Sequence, residues 1–567
     1  MGFSLVKRPG RGRMCVESIL VGLSLFAGFV ASPTVPAALA EETGLAAGSL
    51  QAETRDAKAV RPAREYKLVY LDTRRPGNKQ KALKLPPVPP GMSYTRGSFA
   101  TGNEVGVFGV LLRSDGRLVG VGEEGLWLVD AFEARNPGKK VVDMSSGDPL
   151  FTDVVFSDGL LGSIDPEYDQ CFREASYRRL PGQAARFLQY DVLLLDNGLV
   201  VGADFKCPVY SVGKDSIGAF SISTHRGFVA AAAVTWSRCL SKCPDSWRNQ
   251  DDWDPKGIYD QNDVVEFAYM VRGDGRVSRM KMPYGWDGSH SGKEEVGAWD
   301  EPRSGPNDSR DLEWGVPKTA KGKRWVSLSE FATEVLVVLR SDSLLGYRGN
   351  LRQIRRMAQP PKPAAGLRYV DVGWWVGLGK LALLRSDGRL VIVDPGWQAV
   401  PSGKLRAADK PPGPRAPKGW RFLSLKDFYG SIEYAKYKNH HPGRNSGMHT
   451  VYAMGVIEKI RPGDRVASGI RAIQPSKTVH RGGVARLEVR VVSQANLKGG
   501  KVVVTGPNGK TLGRAVVASA NGKVTVKVKT SSLKPGPIPH TLSVQYLGNS
   551  QTAKSGTARV DLTLTPN

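Results

Sequence analysis

The residues best equipped for chemistry lie in two polar stretches. WRNQDDWDPKGIYDQND, residues 247–263, carries Asp251, Asp252, Asp254, Asp260 and Asp263 among Trp247, Trp253 and Tyr259. Aromatic rings stack on sugars, and a spaced pair of carboxylates hydrolyses glycosidic bonds. Residues 284–315 add Trp286, Trp299 and Trp314 in similar surroundings. These six aromatics are the expected ligand-binding residues. No catalytic residue is expected, and the rival reading places hydrolytic carboxylates in the same stretches. His440, His441 and His449 cluster in NHHPGRNSGMH, a spacing from which zinc can take three ligands. A solvated polar loop is the simpler reading, and His225, His290, His480 and His540 are scattered. No metal or cofactor is expected, and no GxSxG, HExxH, P-loop or dinucleotide fingerprint stands in a supporting context.

A third candidate is a repeated decapeptide. LLRSDGRLVG at 111–120 returns as LLRSDGRLVI at 383–392. As a calcium loop it fails, because calcium takes six to eight oxygens and each copy offers one Asp between two arginines. As a catalytic turn it would be present in several equivalent copies. The remaining reading is structural, a tight turn between two short strands.

Four weaker relatives support that reading: VVFSDGLLG, LLLDNGLVVG, YMVRGDGRVS and VVLRSDSLLG. Asp-Gly and Asn-Gly are strong hairpin signals because they accept positive φ cheaply. The fifth copy puts Ser343 at the glycine position, which predicts another turn type or some strain. The key positions are 116, 159, 198, 275, 343 and 388, and three of the five steps are near 42 residues, the length of a propeller blade. The two long steps contain insertions near 205–263 and 281–322.

A second element precedes several hairpins: KKVVDMSSG, ARFLQYD, KRWVSLSEF and LRYVDVGWW, with GWRFLSLKD similar but lacking a hairpin after it. Each unit reads as a strand, a loop and a hairpin, and such units bury their faces only against one another. YKLVYLDT at the start and the last segment near 455 can complete one unit by pairing, which removes an open edge. The expected fold is therefore all-β, an approximately seven-bladed β-propeller over 66–455. LRYVDVGWWVGLGKLALLRSDGRLVIVD resembles the chromosome-condensation-regulator-type repeat, which implies a seven-bladed propeller. The Trp-Gly-x-Asn and Gly-Gln-Leu-Gly segments of that family are absent, with only TGNEVG faintly similar.

Residues 456–480 read as a linker. Beyond it VARLEVRVV, KVVVTG, GKTLGRAVVA, NGKVTVKVKT, HTLSVQYLG and GTARVDLTLT read as six alternating strands, a small sandwich over 481–567. PNGKTLG, NGKVTVKV and HTLSVQYLGNS resemble bacterial immunoglobulin-like domains, which implies a spacer or weak adhesion module.

The first 40 residues read as a signal peptide: a basic start, the 13-residue apolar run ILVGLSLFAGFVA, and Ala38-Leu39-Ala40 before Glu41. The run is short for a bilayer span, so no transmembrane helix is expected after cleavage. An uncleaved anchor is the alternative. Residues 41–65 read as a flexible leader. The formal net charge is +26, and residues 1–40 hold four basic residues and one acidic one, so +23 remains. In an exported chain this points to a polysaccharide, an anionic cell-wall polymer or an extracellular protein as partner. Basic residues are spread out, so no specific nucleic acid is expected. Cys171, Cys207, Cys239 and Cys243 form an even set that predicts two disulfides with open connectivity. The expected function is a secreted or cell-surface, non-catalytic binding protein of the envelope. A carbohydrate-active hydrolase and a purely structural envelope protein are the alternatives.

Overall fold

In the computed structural model the described residues are 63–72, 79–102, 106–145, 152–164, 182–189, 192–203, 220–237, 264–281, 294–296, 319, 321–331, 335–349, 354, 356–375, 380–396, 414–430, 454–473 and 479–566. They belong to one compact unit that begins at Val60. Among them nine small sheets form.

All six hairpins read from the repeat are present. The second sheet holds Tyr94–Gly102, Gly106–Arg113 and Leu118–Val121. The third holds Val141–Met144, Asp153–Phe156 and Leu161–Ser163. The fourth holds Ala184–Gln189, Val192–Leu195, Val200–Ala203 and Phe220–Ile222. The fifth holds Phe228–Ser237, Val264–Arg272, Val277–Lys281 and Glu294–Val296. The sixth holds Trp325–Phe331, Val335–Arg340 and Leu345–Gly349, and the seventh Tyr369–Trp375, Lys380–Arg385 and Leu390–Val393. Each is an antiparallel meander.

The first sheet is made from both ends of this region. Tyr66–Asp72 pairs with Lys79–Lys84 on one side and with Met454–Lys459 on the other, and Trp420–Phe422 completes the order. Glu458, 2% exposed, accepts from Arg64 Nη1 at 2.6 Å and from Arg421 Nε at 2.7 Å. Lys459 Nζ pairs with Glu65 at 2.7 Å, so the end of the segment read as a leader is tied to this sheet. Phe428–Gly430 runs parallel to Tyr94–Gly102 and adds a strand to the second sheet.

Consecutive sheets share cores. Leu68 and Val456 of the first pack with Phe99 and Leu111 of the second. The next cores join Val110 to Val154, Val155 to Leu193, Val192 to Met270, Tyr269 to Leu336, and Val337 to Leu381. Leu384 of the seventh sheet then packs with Val69 and Ile457 of the first.

The six turns share one geometry. The residue at the glycine position donates its N–H to the carbonyl three residues back at 2.7–3.0 Å, and that earlier residue donates to the one just past the turn at 2.8–2.9 Å. Only the glycine position has positive φ, from 72° to 85°. This is a three-residue loop with a G1 bulge rather than a two-residue turn. Arg113 forks onto Asp115 with two contacts of 2.7 Å, and Arg340–Asp342 and Arg385–Asp387 repeat the fork. Arg272 pairs with Asp274 at 2.9 Å. The arginine hydrogen bond holds Asp115 and Asp342 below the ordinary carboxylate range.

The turn also fastens neighbouring segments. The second residue of each turn donates to a carbonyl just before the first strand of its own sheet, as in Ser386 to Arg368 at 2.8 Å. The Gly116, Gly275 and Gly388 carbonyls accept from Val141, Trp325 and Phe422 of the next sheet. Ser343 keeps this geometry at φ 72° and makes the link through its hydroxyl, which accepts from Tyr369 N at 3.0 Å.

A helix, Gly122–Arg135, was not expected. Gly125, Leu128, Val129 and Phe132 form its buried stripe at i, i+3, i+4 and i+7, and Glu123 and Glu124 suit its first turn. It packs on the second and third sheets through the Val110 and Val154 core.

The eighth sheet, Gly469–Ile473, Val484–Val492 and Lys523–Lys529, faces the ninth across one core. The ninth holds Val479–His480, Thr557–Thr565, Gly536–Tyr546, Lys501–Thr505 and Thr511–Val516. All six strands read for this part are present. Within 456–480, read as a linker, the chain instead finishes the first sheet and starts the eighth. Ile460, Val466 and Ala495 pack between them. Ala365 and Ile470 exchange backbone hydrogen bonds of 3.0 and 3.1 Å, and Lys418 Nζ donates to Ser493 O at 2.5 Å.

A Cβ at Gly388 would sit 2.3 Å from the Arg421 Cβ, at φ 80°. Gly388→Ala is therefore expected to lose at least about 2 kcal/mol, from left-handed backbone and overlap combined. Denaturant unfolding against the wild type measures it.

Candidate functional site

The first strands carry a recurring irregularity. In six sheets the pairing skips one residue near the strand start: Thr95, Val142, Ala185, Val229, Val326 and Val370, and the fourth sheet skips Leu188 as well. A bulge re-aims the side chain that follows it. The following residues include Arg96, Asp143, Ser327 and Asp371, all in elements with apolar neighbours.

Arg96, 9% exposed, is the centre of one half of the cluster. Its Nε and Nη2 hold Asp143 at 2.8 and 3.1 Å, Nη1 reaches Asp427 at 2.9 Å, and Nη2 also donates to Phe187 O at 2.7 Å. Phe187 N donates to Asp143 Oδ2 at 2.7 Å. Three sheets are thereby joined through one guanidinium. In the other half, Asp371 Oδ1 accepts from Ser327 Oγ at 2.6 Å and from Val372 N at 2.9 Å, with Lys426 Nζ 3.7 Å away. The two halves meet in one turn, where Ser424 Oγ accepts from Lys426 N and Asp427 N. Gly97 N donates to Asp427 O at 2.7 Å, which seats that turn on the second sheet.

Burial pushes the Asp143 and Asp371 carboxyls above the ordinary range, against the pull of Arg96 and Lys426 respectively. These acids are tied to cations and backbone donors, so the arrangement locks elements together rather than presenting an open carboxylate pair. Asp153, at the start of the third sheet's second strand, is different. Burial alone raises its carboxyl well above the ordinary value. Ser145 Oγ accepts from its backbone N–H at 2.9 Å. Among the described residues, no group of three or more His, Cys, Asp or Glu is placed to hold a metal ion. A cavity of about 260 Å³ lies on the seventh sheet's margin, lined by Arg356, Gln359, Pro361 and Asp394 among others, and no acid–base pair converges in it.

Trp247, Trp253, Tyr259, Trp286, Trp299, Trp314, Cys171, Cys207, Cys239 and Cys243 lie outside the described residues, as do His290, His440, His441 and His449. The strands that flank several of them in sequence are described. Successive connections of an antiparallel meander leave from alternate edges. The strand ends Ala203, Phe220, Ser237, Val264, Lys281 and Glu294 therefore lie at the edge opposite the Asp-Gly turns, and Val296 lies at the turn edge. In sequence, Trp247, Trp253, Tyr259 and Trp286 fall between strand ends of the first group, and Trp299 and Trp314 follow Val296. The charged cluster itself was missed in the sequence. Its signal was the shared fourth position in KVVDM, RWVSL and RYVDV, which aligns Asp143, Ser327 and Asp371.

No protein-family model matches the chain, and no curated protein matches it. Among solved structures it is faintly similar to an FMN-binding β-glucuronidase from Facaelibacterium prausnitzii L2-6, with 14% identity and a TM-score of 0.13 over 22% of this chain and 20% of that one. The adhesin domain of Epf from Streptococcus pyogenes matches at 10% identity and TM-score 0.14, covering 46% of this chain and 86% of that one. The BSP domain of a biofilm-associated protein matches at 11% and 0.14, covering 53% and 42%. Likenesses of this size assign neither fold nor function.

Two outcomes are expected. Arg96→Met leaves Asp143 buried without its cation and lowers stability by about 3–5 kcal/mol in denaturant unfolding. Asp153→Asn stabilises at neutral pH by about 1–3 kcal/mol, because the amide has no charge to desolvate. The sign follows from the raised folded pKa. The folded state holds the proton more tightly, so the wild type recovers stability as pH falls through that pKa, and the gap closes by the ordinary aspartate value of 3.8. Unfolding midpoints from pH 7 downward measure it.

Proposed function

We propose that the chain is an exported, non-catalytic binding protein in which the first seven sheets are blades of a closed propeller, similar to the chromosome-condensation-regulator type, that carries an immunoglobulin-like sandwich. The shared cores support closure: they run from each sheet to the next, and the seventh sheet packs on the first. A first sheet made from both ends of the seven-sheet region removes an open edge in the same way. Among the described residues no helix is long and apolar enough to cross a membrane.

One observation carries the binding reading. Ser237 and Val264, which flank the stretch bearing Trp247, Trp253 and Tyr259, and Lys281 and Glu294, which flank the one bearing Trp286, all lie at the fifth-sheet edge opposite the Asp-Gly turns. Loops gathered on one face of a rigid scaffold are where recognition residues concentrate. The ligand is a polysaccharide or an extracellular protein. The described buried acids are engaged in ion pairs or isolated, which favours binding over hydrolysis.

A glycan and cell-wall array with the wild type should yield a ligand. Trp253→Ala and Trp286→Ala are then expected to weaken it at least about tenfold, as aromatic anchors do. Trp299→Ala and Trp314→Ala, on segments from the other edge, should change it little. Equal losses in both pairs would overturn the edge assignment, and no loss in either would overturn the binding reading.

A further inference from the structure

The outer face of the eighth sheet is cationic in an ordered way. Arg471 lies opposite Arg490, and Arg490 opposite Lys523, so three cations stand in one row across three strands. Arg486 faces Lys527 in another row, and Lys529 ends the same face. All six are exposed. Neighbouring strands are only about 4.8 Å apart, and like charges directly opposite each other destabilise a sheet. Arg471 is anchored through Nη2 to Lys362 O at 2.9 Å. The side chains of the other five make no ion pair or hydrogen bond with a described residue.

The other side of the sandwich is unlike this. There the exposed cations are Lys501, Arg514 and Arg559, and Arg559 alternates with Asp561, which accepts from Thr541 at 2.7 Å. The charge is thus concentrated on one face of a small domain, which is more than the general basic excess of the chain requires.

We propose that this face binds a linear anionic polysaccharide, a polymer that carries both acidic groups and free hydroxyls. The acidic groups neutralise the two cationic rows. Between those rows lie Glu488 and Thr525, directly paired and exposed. A carboxylate in the middle of a cationic face is suited to accept sugar hydroxyl donors, and a DNA phosphodiester backbone offers none. The three strands contain no aromatic residue. Single-stranded bases therefore find no stacking platform, and the Trp or Tyr anchors of a membrane-interface surface are missing. The surface is separate from the segments invoked for the propeller, so either reading stands without the other.

The test uses the full chain with polygalacturonate and dextran sulfate as probes. Neutral dextran, duplex DNA and phosphatidylglycerol vesicles form the comparison arms, and affinity is measured at several salt concentrations. Wild type should bind at least one anionic polysaccharide more tightly than DNA or vesicles, and added salt should weaken it because screening weakens exposed charges. The combined variant Arg486→Gln, Arg490→Gln, Lys523→Gln and Lys527→Gln should lose at least about thirtyfold, with an unfolding temperature equal to or above wild type, since repulsion is removed. Arg490→Gln alone should lose about threefold or more and guards against a folding defect in the combined variant. Lys501→Gln with Arg514→Gln and Arg559→Gln, on the ninth sheet, should lose less than either. The proposal is overturned if neither polysaccharide binds at low salt, if the eighth-sheet variants bind like wild type, if the ninth-sheet control loses as much, or if DNA or vesicles bind more tightly.

Discussion

Everything in the first seven sheets depends on how closely a turn approaches the next sheet. Each sheet is three or four short strands, too small to be stable with both faces wet. It becomes stable only when a neighbour covers it. The Arg-Ser-Asp-Gly turn places a residue with free carbonyl and no Cβ against the first strand of that neighbour. At Gly116 a Cβ would stand 2.9 Å from the Val141 carbonyl, and at Gly388 2.3 Å from the Arg421 Cβ. The Arg–Asp fork stiffens the turn from within. The repeated decapeptide is therefore conspicuous in the sequence because one local geometry must satisfy backbone conformation, an ion pair and an inter-sheet contact together. Ser343 shows the tolerance of the scheme: it keeps the left-handed backbone and replaces the carbonyl link with a hydroxyl.

Much of this was legible because its signals are local. A hairpin is written in ten consecutive residues, so all six were found, as were the six strands after residue 480. What stayed hidden depends on residues far apart in sequence. The parallel strand Phe428–Gly430 pairs with a strand more than 300 residues earlier, and no local pattern announces it. The helix Gly122–Arg135 has a clear i, i+3, i+4 stripe, yet it follows directly on Leu118–Val121, and the hairpin reading absorbed its start. The charged cluster was hidden for another reason. A bulge moves Asp143 and Asp371 off the simple in–out alternation that strand reading assumes.

The junction between the two regions shows how backbone can replace a linker. Ala365 and Ile470 form an isolated bridge, and Gly419 N donates to Gln494 O at 2.9 Å. Gly366 and Gly556 approach so closely that a Cβ on either would meet the other's backbone within 2.5 Å. A flexible tether would carry no such contacts. The sandwich is held by directional bonds to two loops of the seventh and first sheets, so its orientation belongs to the fold.

That fixed orientation bears on how the chain handles charge. Inside, Arg96, Glu458 and Arg421 are almost fully matched, because an unmatched charge in a poorly solvated place costs several kcal/mol, on the order estimated for broken buried pairs. The Glu458 pairs hold strands from opposite ends of the sequence together, and the Arg96 pairs bind three sheets and a turn. On the eighth sheet the opposite holds: cations face cations on an exposed surface. Water screens that repulsion enough for the sheet to form, but it gives no reason for the rows to be there. Five of those six cations make no ion pair or hydrogen bond with a described residue, so polar contacts within the fold do not account for them. In the proposed reading an outside anion selects them, and a surface held on the seven-sheet body would present those rows to a long polymer at a constant spacing.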